Sequence, residues 1–126
     1  MKRSLVAGAG GLFRLPRKIP ENLAMECATT GDPISAARAA QFGLVNELVA
    51  DGRALDAAIA LADRIIANSP LAVRESRRVV LATAHLSDHE AFVVSNQAVG
   101  VVTRSADFRE GVAAFVEKRP PRWTGR

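Results

Sequence analysis

Glycine, proline and turn dipeptides interrupt this chain at short intervals, and this spacing limits what it can fold into. Gly31 and Gly43 each end a run of helix-forming residues, and the pair Asp51-Gly52 is a further turn signal. Within the runs, apolar residues recur three and four positions apart, as on one face of an α-helix. We predict helices over residues 12–17, 21–29, 36–42, 54–68 and 71–83, another opened by Ser87, and one from Ser105 to Pro120-Pro121.

One segment alone has the pattern of a strand. Residues 44–49 are largely apolar and end at the Asp51-Gly52 turn signal. Short helices are marginal by themselves and depend on packing, so we expect several apolar faces to need a partner surface. The predicted fold class is mainly α, with at most one short strand.

Polar residues mark where several helices should begin. Ser35 and Ser105 suit the N-cap position, where a hydroxyl accepts a hydrogen bond from a free backbone N–H. Ser87 and Glu90 have the spacing of a capping box. Asp107, in the first turn of the final helix, is favourable against the helix dipole.

Composition excludes several classes of protein. With 48% hydrophobic residues among 126, the chain is too apolar to be generically disordered. No apolar run approaches the roughly 18–20 residues of a membrane span, and no secretory signal is apparent. The single Cys27 excludes an internal disulfide framework. We expect a cytoplasmic protein with no membrane partner.

The net charge of +4 raises the question of nucleic acid. The basic residues are scattered, with acidic residues between them, and only five Phe and one Trp could stack on bases. The pattern favours a solvated basic surface, followed by small anions. We expect no nucleic-acid partner.

Metal and phosphate-loop patterns are weak. His85 and His89 are four apart but straddle the Ser87 cap, and no Cys or Glu-x-x-His supports a metal site. The turn Gly8-Ala9-Gly10-Gly11 lacks the Lys-Ser/Thr ending of a P-loop. We predict neither a metal nor a cofactor.

Five ordered segments carry a resemblance to a known family. Residues 1–17, with Gly10-Gly11 and Arg14-Leu15-Pro16-Arg17, resemble an internal signature segment of the enoyl-CoA hydratase/isomerase (crotonase) family. Residues 30–36, 39–49, 67–73 and 107–121 match later segments in the same order. Residues 1–126 therefore look like the C-terminal helical region of a crotonase-like (ClpP/crotonase) α/β fold, without the family's N-terminal core.

The resemblance also implies a reaction. Family members bind acyl-CoA thioesters and stabilise an enolate oxygen with two backbone N–H groups, and hydratases use two Glu side chains for reversible hydration of 2-enoyl-CoA. The alignment puts one such Glu immediately before Met1 and the other groups in the missing half. No catalytic residue is therefore assigned here, and we expect the isolated chain to be inactive. The family forms trimers or hexamers, so a homo-oligomer is expected.

Three residues are candidates for contact with substrate. In the family, the glycine matching Gly8 lies beside the bound catalytic water; the alternative is a simple helix-entry turn. The C-terminal helix of a neighbouring subunit offers an aromatic side chain and a lysine to the CoA nucleotide, and Phe115 and Lys118 match these positions. The alternative is a core Phe with a solvated Lys.

A second function class remains open. The exposed apolar helix faces would also suit a non-catalytic helical module that packs onto crotonase-type subunits or onto itself. Self-association and CoA-dependent activity distinguish the two.

Overall fold

A computed structural model describes residues 2–126, and in this part of the chain it contains seven helices and no strand. Met1, the residue that follows the family's catalytic Glu in the alignment, lies outside the described residues. The chain divides into two compact units, Met1–Ala54 and Leu55–Arg126. The helices are α1 (Gly11–Arg14), α2 (Glu21–Thr30), α3 (Ala36–Gln41), α4 (Ala54–Ile66), α5 (Pro70–Thr83), α6 (Asp88–Thr103) and α7 (Ala106–Glu117).

The first unit is built around a small apolar cluster. Ile19, Leu23 and Ala24 are buried, and Cys27 of α2 and four half-buried apolar residues outside the helices pack against them. Ser35 caps α3 as predicted, accepting a hydrogen bond from the Arg38 amide at 3.2 Å. The guanidinium of Arg38 then donates to both carboxylate oxygens of Glu26, at 2.8 and 3.0 Å, which joins α3 to α2.

The second unit packs α5 against α6 and α6 against α7. The predicted caps are confirmed: Ser105 accepts from the Phe108 amide, and Ser87 and Glu90 form the full capping box. Ser69, which lies between the predicted helices over residues 54–68 and 71–83, caps α5 by accepting a hydrogen bond from the Ala72 amide.

Several predicted boundaries are wrong for identifiable reasons. Residues 44–49 form bends and irregular backbone rather than a strand; a strand needs a neighbour to pair its N–H and C=O groups. Helix α1 ends at Arg14, because Pro16 has no N–H to continue it. Helix α4 ends at Ile66, where the Asn68 side-chain amide donates to the carbonyl oxygens of Arg64 and Ile65, at 2.8 and 3.2 Å.

The apolar face predicted for α4 forms, but the structure leaves much of it uncovered. No residue of α4 is buried, and Leu55 and Ile66 are 70% and 71% exposed. Ile59 and Ile65 on the same helix are about half exposed. Among the described residues, no helix has both the length and the apolar character that a membrane span requires.

Candidate functional site

Gly8 lies in the turn that leads into α1. Its N–H donates to the Val6 carbonyl at 2.8 Å, and its carbonyl accepts from the Gly11 amide at 3.1 Å. A Cβ placed on Gly8 would meet nothing within 4 Å. Local packing therefore does not require glycine at this position, and the space above its backbone is open.

The glycine that the turn does require is Gly10. Its φ of 94° lies in the left-handed region, and a Cβ there would approach the Arg14 and Phe13 side chains to 3.0–3.1 Å. Ser4 also has a positive φ, 53°, at a position where the resembled family usually has glycine. Beside the turn lies a groove of about 360 Å³ lined by Ala7, Gly11, Leu12, Arg14, Leu15, Lys18, Cys27, Ala28 and Leu44.

Phe115 and Lys118 both lie at the C-terminal end of α7, where the Lys118 amide donates to the Phe115 carbonyl at 3.3 Å. Phe115 is 85% exposed, so the structure does not bear out a core role for it within its unit. Lys118 is exposed and follows the helix with φ 53° and ψ 40°, the left-handed conformation that usually belongs to glycine at a helix end. The Arg119 amide donates back to the Ala114 carbonyl at 3.1 Å, which completes the chain reversal.

The final helix was predicted to extend to Pro120-Pro121, and that boundary is wrong. Because α7 ends at Glu117, Arg119 lies beyond it and turns back. Its guanidinium donates to both carboxylate oxygens of Glu110, at 2.6 and 3.1 Å, and the Arg122 amide donates to the same carboxylate at 2.7 Å.

These contacts set the charge state of the pair. The hydrogen bond from Arg119, followed by that from the Arg122 amide, lowers the pKa of Glu110 to about 2. Hydrogen bonds to Glu110 and then to Glu117 raise the pKa of Arg119. Both groups are therefore charged throughout the neutral range.

Asp107 holds a second cluster, and its carboxylate is buried at 2% exposure. It accepts hydrogen bonds from the Ser69 hydroxyl at 2.8 Å, the Thr124 amide at 2.7 Å and the Gly125 amide at 3.1 Å. Burial alone would raise the pKa of Asp107, but hydrogen bonds from Thr124, Ser69 and Gly125 outweigh it and lower the pKa. From the sequence, Asp107 was predicted only to interact favourably with the helix dipole. Its hydrogen-bond partners were not predicted, because Ser69 and Thr124 lie 38 and 17 residues away along the chain.

A groove of about 340 Å³ adjoins this cluster. The Trp123 ring lies over Gly111, where a Cβ would meet it at 3.4 Å, and its Nε1 donates to the Ala67 carbonyl at 2.8 Å. The lining is almost entirely apolar, and exposed Phe115 belongs to it. The lining residues are Ser69, Ala72, Val102, Asp107, Phe108, Gly111, Val112, Phe115 and Trp123.

The candidate residues thus fall into two places. Phe115 and Lys118 are neighbours in the second unit, whereas Gly8 belongs to the first. Within residues 2–126, no group of three or more His, Cys, Asp or Glu side chains is arranged to hold a metal ion. Glu26, on α2, is paired with the Arg38 guanidinium, whose hydrogen bond lowers the pKa of its carboxyl group.

Comparison with known proteins places the chain. A family model described as enoyl-CoA hydratase/isomerase matches residues 1–126. The chain is 42% identical over 125 residues to enoyl-CoA hydratase EchA19 of Mycobacterium tuberculosis, covering 99% of this chain and 47% of that protein. It is 36% identical to carnitinyl-CoA dehydratase of Proteus mirabilis, covering 97% and 48%. The chain spans about half the length of the curated relatives it matches.

Solved structures agree on the fold. An enoyl-CoA hydratase from Mycobacterium tuberculosis H37Rv superposes with a TM-score of 0.93 at 50% identity, covering 99% of this chain and 50% of that one. The enoyl-CoA hydratase of Bacillus anthracis gives 0.93 at 35% identity, covering 99% and 48%. The helical arrangement is therefore that of about half of a crotonase-type subunit.

Proposed function

Since the chain belongs to the enoyl-CoA hydratase/isomerase family, we propose that it supplies the helical, acyl-CoA-contacting part of an enzyme for reversible hydration of 2-enoyl-CoA thioesters. The match to the family model along the whole sequence carries this proposal. The relatives named as hydratases and dehydratases of CoA thioesters support it. The chain spans about half of these relatives, and we propose the complete reaction for the whole enzyme to which such a chain contributes.

The proposed contact with substrate is made by Phe115 and Lys118. An exposed aromatic ring beside a flexible ammonium suits a nucleotide, since the ring can pack against the base and the ammonium can approach phosphate. The 85% exposure of Phe115 supports this role over a core role. Gly8 is the proposed contact on the first unit, where its bare backbone leaves room for water.

We assign no catalytic acid to this chain. The acids and oxyanion amides of the family have no matching positions in it, and Glu26 is already paired with Arg38. The proposed chemistry is preorganised stabilisation of an enolate together with acid–base help, which needs no metal or cofactor. The isolated chain should therefore bind CoA without hydrating an enoyl thioester.

We further propose a cytoplasmic homo-oligomer, a trimer or hexamer as in the family, with no nucleic-acid partner. The uncovered apolar face of α4 supports association. The single Cys27 is half-buried and free, which fits a reducing compartment.

Calorimetric titration with CoA and with pantetheine, which lacks the nucleotide, tests the proposal. We expect CoA to bind and pantetheine not to bind. Lys118→Met should weaken CoA binding, and Arg77→Met, at an exposed cation on α5, should leave it unchanged. Absence of CoA binding would refute the proposed contact. Loss of enoyl absorbance from crotonyl-CoA, with protein free of host enzyme, would refute the predicted inactivity.

The alternative is a non-catalytic interaction module, favoured by the exposure of Leu55 and Ile66 on α4. It predicts self-association that replacing both residues by Gln abolishes, together with no affinity for CoA. Light scattering coupled to size exclusion measures the first property. A monomer that binds no CoA would contradict both functions.

A further inference from the structure

The chain reversal after α7 depends on a strained residue. Lys118 carries a Cβ and yet has φ 53°, where that Cβ crowds the backbone. Glycine would adopt this conformation more easily, so contacts elsewhere must hold the reversal in place. Were α7 to continue through Lys118, the side chain would lean back toward the helix N-terminus, as helical side chains do. The reversal therefore sets the direction in which the Lys118 side chain leaves the backbone.

Glu110 supplies the contacts that hold the reversal. It lies in the middle of α7 and binds two positions beyond the helix, the Arg119 guanidinium and the Arg122 amide. A bidentate pair fixes orientation as well as distance, and a backbone donor adds a point that side-chain motion cannot remove. Arg119 and Arg122, which follow Lys118 in the sequence, are thereby fixed against α7.

Glu117 provides an internal contrast. It also pairs with Arg119, through Nε at 2.5 Å, but it is the last residue of α7 and is 57% exposed. Glu110 is only 22% exposed and reaches across the reversal. A pair between residues two apart can form in many backbone conformations, whereas the Glu110 contacts require the chain to turn back.

We propose that Glu110, acting through Arg119 and the Arg122 amide, is a positioning residue that directs Lys118 toward the phosphates of the CoA nucleotide. This inference rests on the proposed function, because it assigns a support to the same contact. Glu110 itself touches no ligand.

Glu110→Gln and Glu117→Gln form a matched pair for the test, since each replaces one carboxylate partner of Arg119 with a neutral amide. We expect Glu110→Gln to weaken CoA binding by about tenfold and Glu117→Gln to leave it nearly unchanged. The second readout is trypsin cleavage after Lys118, followed by mass spectrometry and normalised to cleavage after Lys18. It should accelerate in Glu110→Gln only, because the bond lies in the reversal.

These measurements distinguish failure of the positioning role of Glu110 from failure of CoA binding itself. If the unmodified chain binds CoA, and Glu110→Gln matches Glu117→Gln in affinity and cleavage, the inference is overturned and the proposed function stands. Accelerated cleavage with unchanged affinity also overturns it, since the reversal would then have no bearing on Lys118. If the unmodified chain does not bind CoA, the proposed function fails and the inference fails with it. Circular dichroism melting of both variants identifies any general loss of folding.

Discussion

The two units are stabilised in different ways. The first has an apolar cluster of Ile19, Leu23 and Ala24, whereas the second holds residues 119–126 with two carboxylates, Asp107 and Glu110. Apolar packing is non-directional and depends on the area removed from water. A carboxylate that accepts several N–H groups instead fixes particular backbone atoms. The difference indicates that α2 is held in the first unit by packing, whereas the segment around Lys118 is held by directed hydrogen bonds.

The largest expected effect is on the apolar cluster. Leu23 is 2% exposed, so Leu23→Ala should leave a cavity and lower the free energy of unfolding by about 2–5 kcal/mol. Met25, on the same helix and 55% exposed, provides the control, with a change of about 0.5 kcal/mol or less for Met25→Ala. Urea unfolding followed by circular dichroism measures both. Equal losses would mean that packing does not dominate the first unit.

Removal of the Asp107 charge comes next. Asp107→Asn places an amide among donors from Thr124 and Gly125, so residues 123–126 should detach and expose Trp123, while Glu110 still holds Arg119 and Arg122. We expect red-shifted Trp emission and faster trypsin cleavage after Arg122. Asp88→Asn, in the first turn of α6 but exposed, should change neither. Unchanged emission in Asp107→Asn would show that the contacts of Glu110 and Trp123 hold the segment without Asp107.

Acid should weaken the directed contacts of the second unit. The pKa values of Asp107 and Glu110 in the folded chain lie below their ordinary values of 3.8 and 4.5. Their stabilisation is therefore complete above those ordinary values and is lost as pH falls through the lowered ones, which for Glu110 means toward about 2. Urea midpoints from Trp123 emission should fall from pH 5 to pH 2.5. A rise over this interval would contradict the assignment.

The smallest expected effect is the difference in urea midpoint between variants of two Glu–Arg pairs. Glu26–Arg38 in the first unit is bidentate like Glu110–Arg119, but Glu26 is 51% exposed and the Glu110 side chain is 22% exposed. Solvent screening makes exposed pairs worth little. Glu26→Gln should therefore lower the urea midpoint less than Glu110→Gln does, when both are measured at pH 7. A larger effect of Glu26→Gln would reverse this ranking of the two pairs.

Local signals were enough to predict local structure. The caps at Ser35, Ser87 and Ser105 are confirmed, because each depends on atoms within three residues. The family resemblance was predicted from ordered motifs, and comparison confirms it. The prediction of a strand over residues 44–49 is wrong, since strand formation depends on a neighbouring strand that no local pattern specifies.

The candidate site shows the same limit. Phe115 and Lys118 could be named from the sequence because they match a motif. The contacts that support them could not, since the Glu110–Arg119 pair spans nine residues and the Asp107–Ser69 bond spans 38. The end of α7 at Glu117 was also missed, because the sequence places lysine where glycine normally stops a helix.

Asn68 makes the end of α4 sensitive to hydrolysis of its side-chain amide. Its amide donates to two carbonyl oxygens at the end of α4, and Ser69, the next residue, caps α5 and binds Asp107. Spontaneous hydrolysis of that amide would replace the donor with a carboxylate facing the negative end of the α4 dipole. Such a change would weaken the end of α4 directly beside Ser69, through which α5 is joined to Asp107.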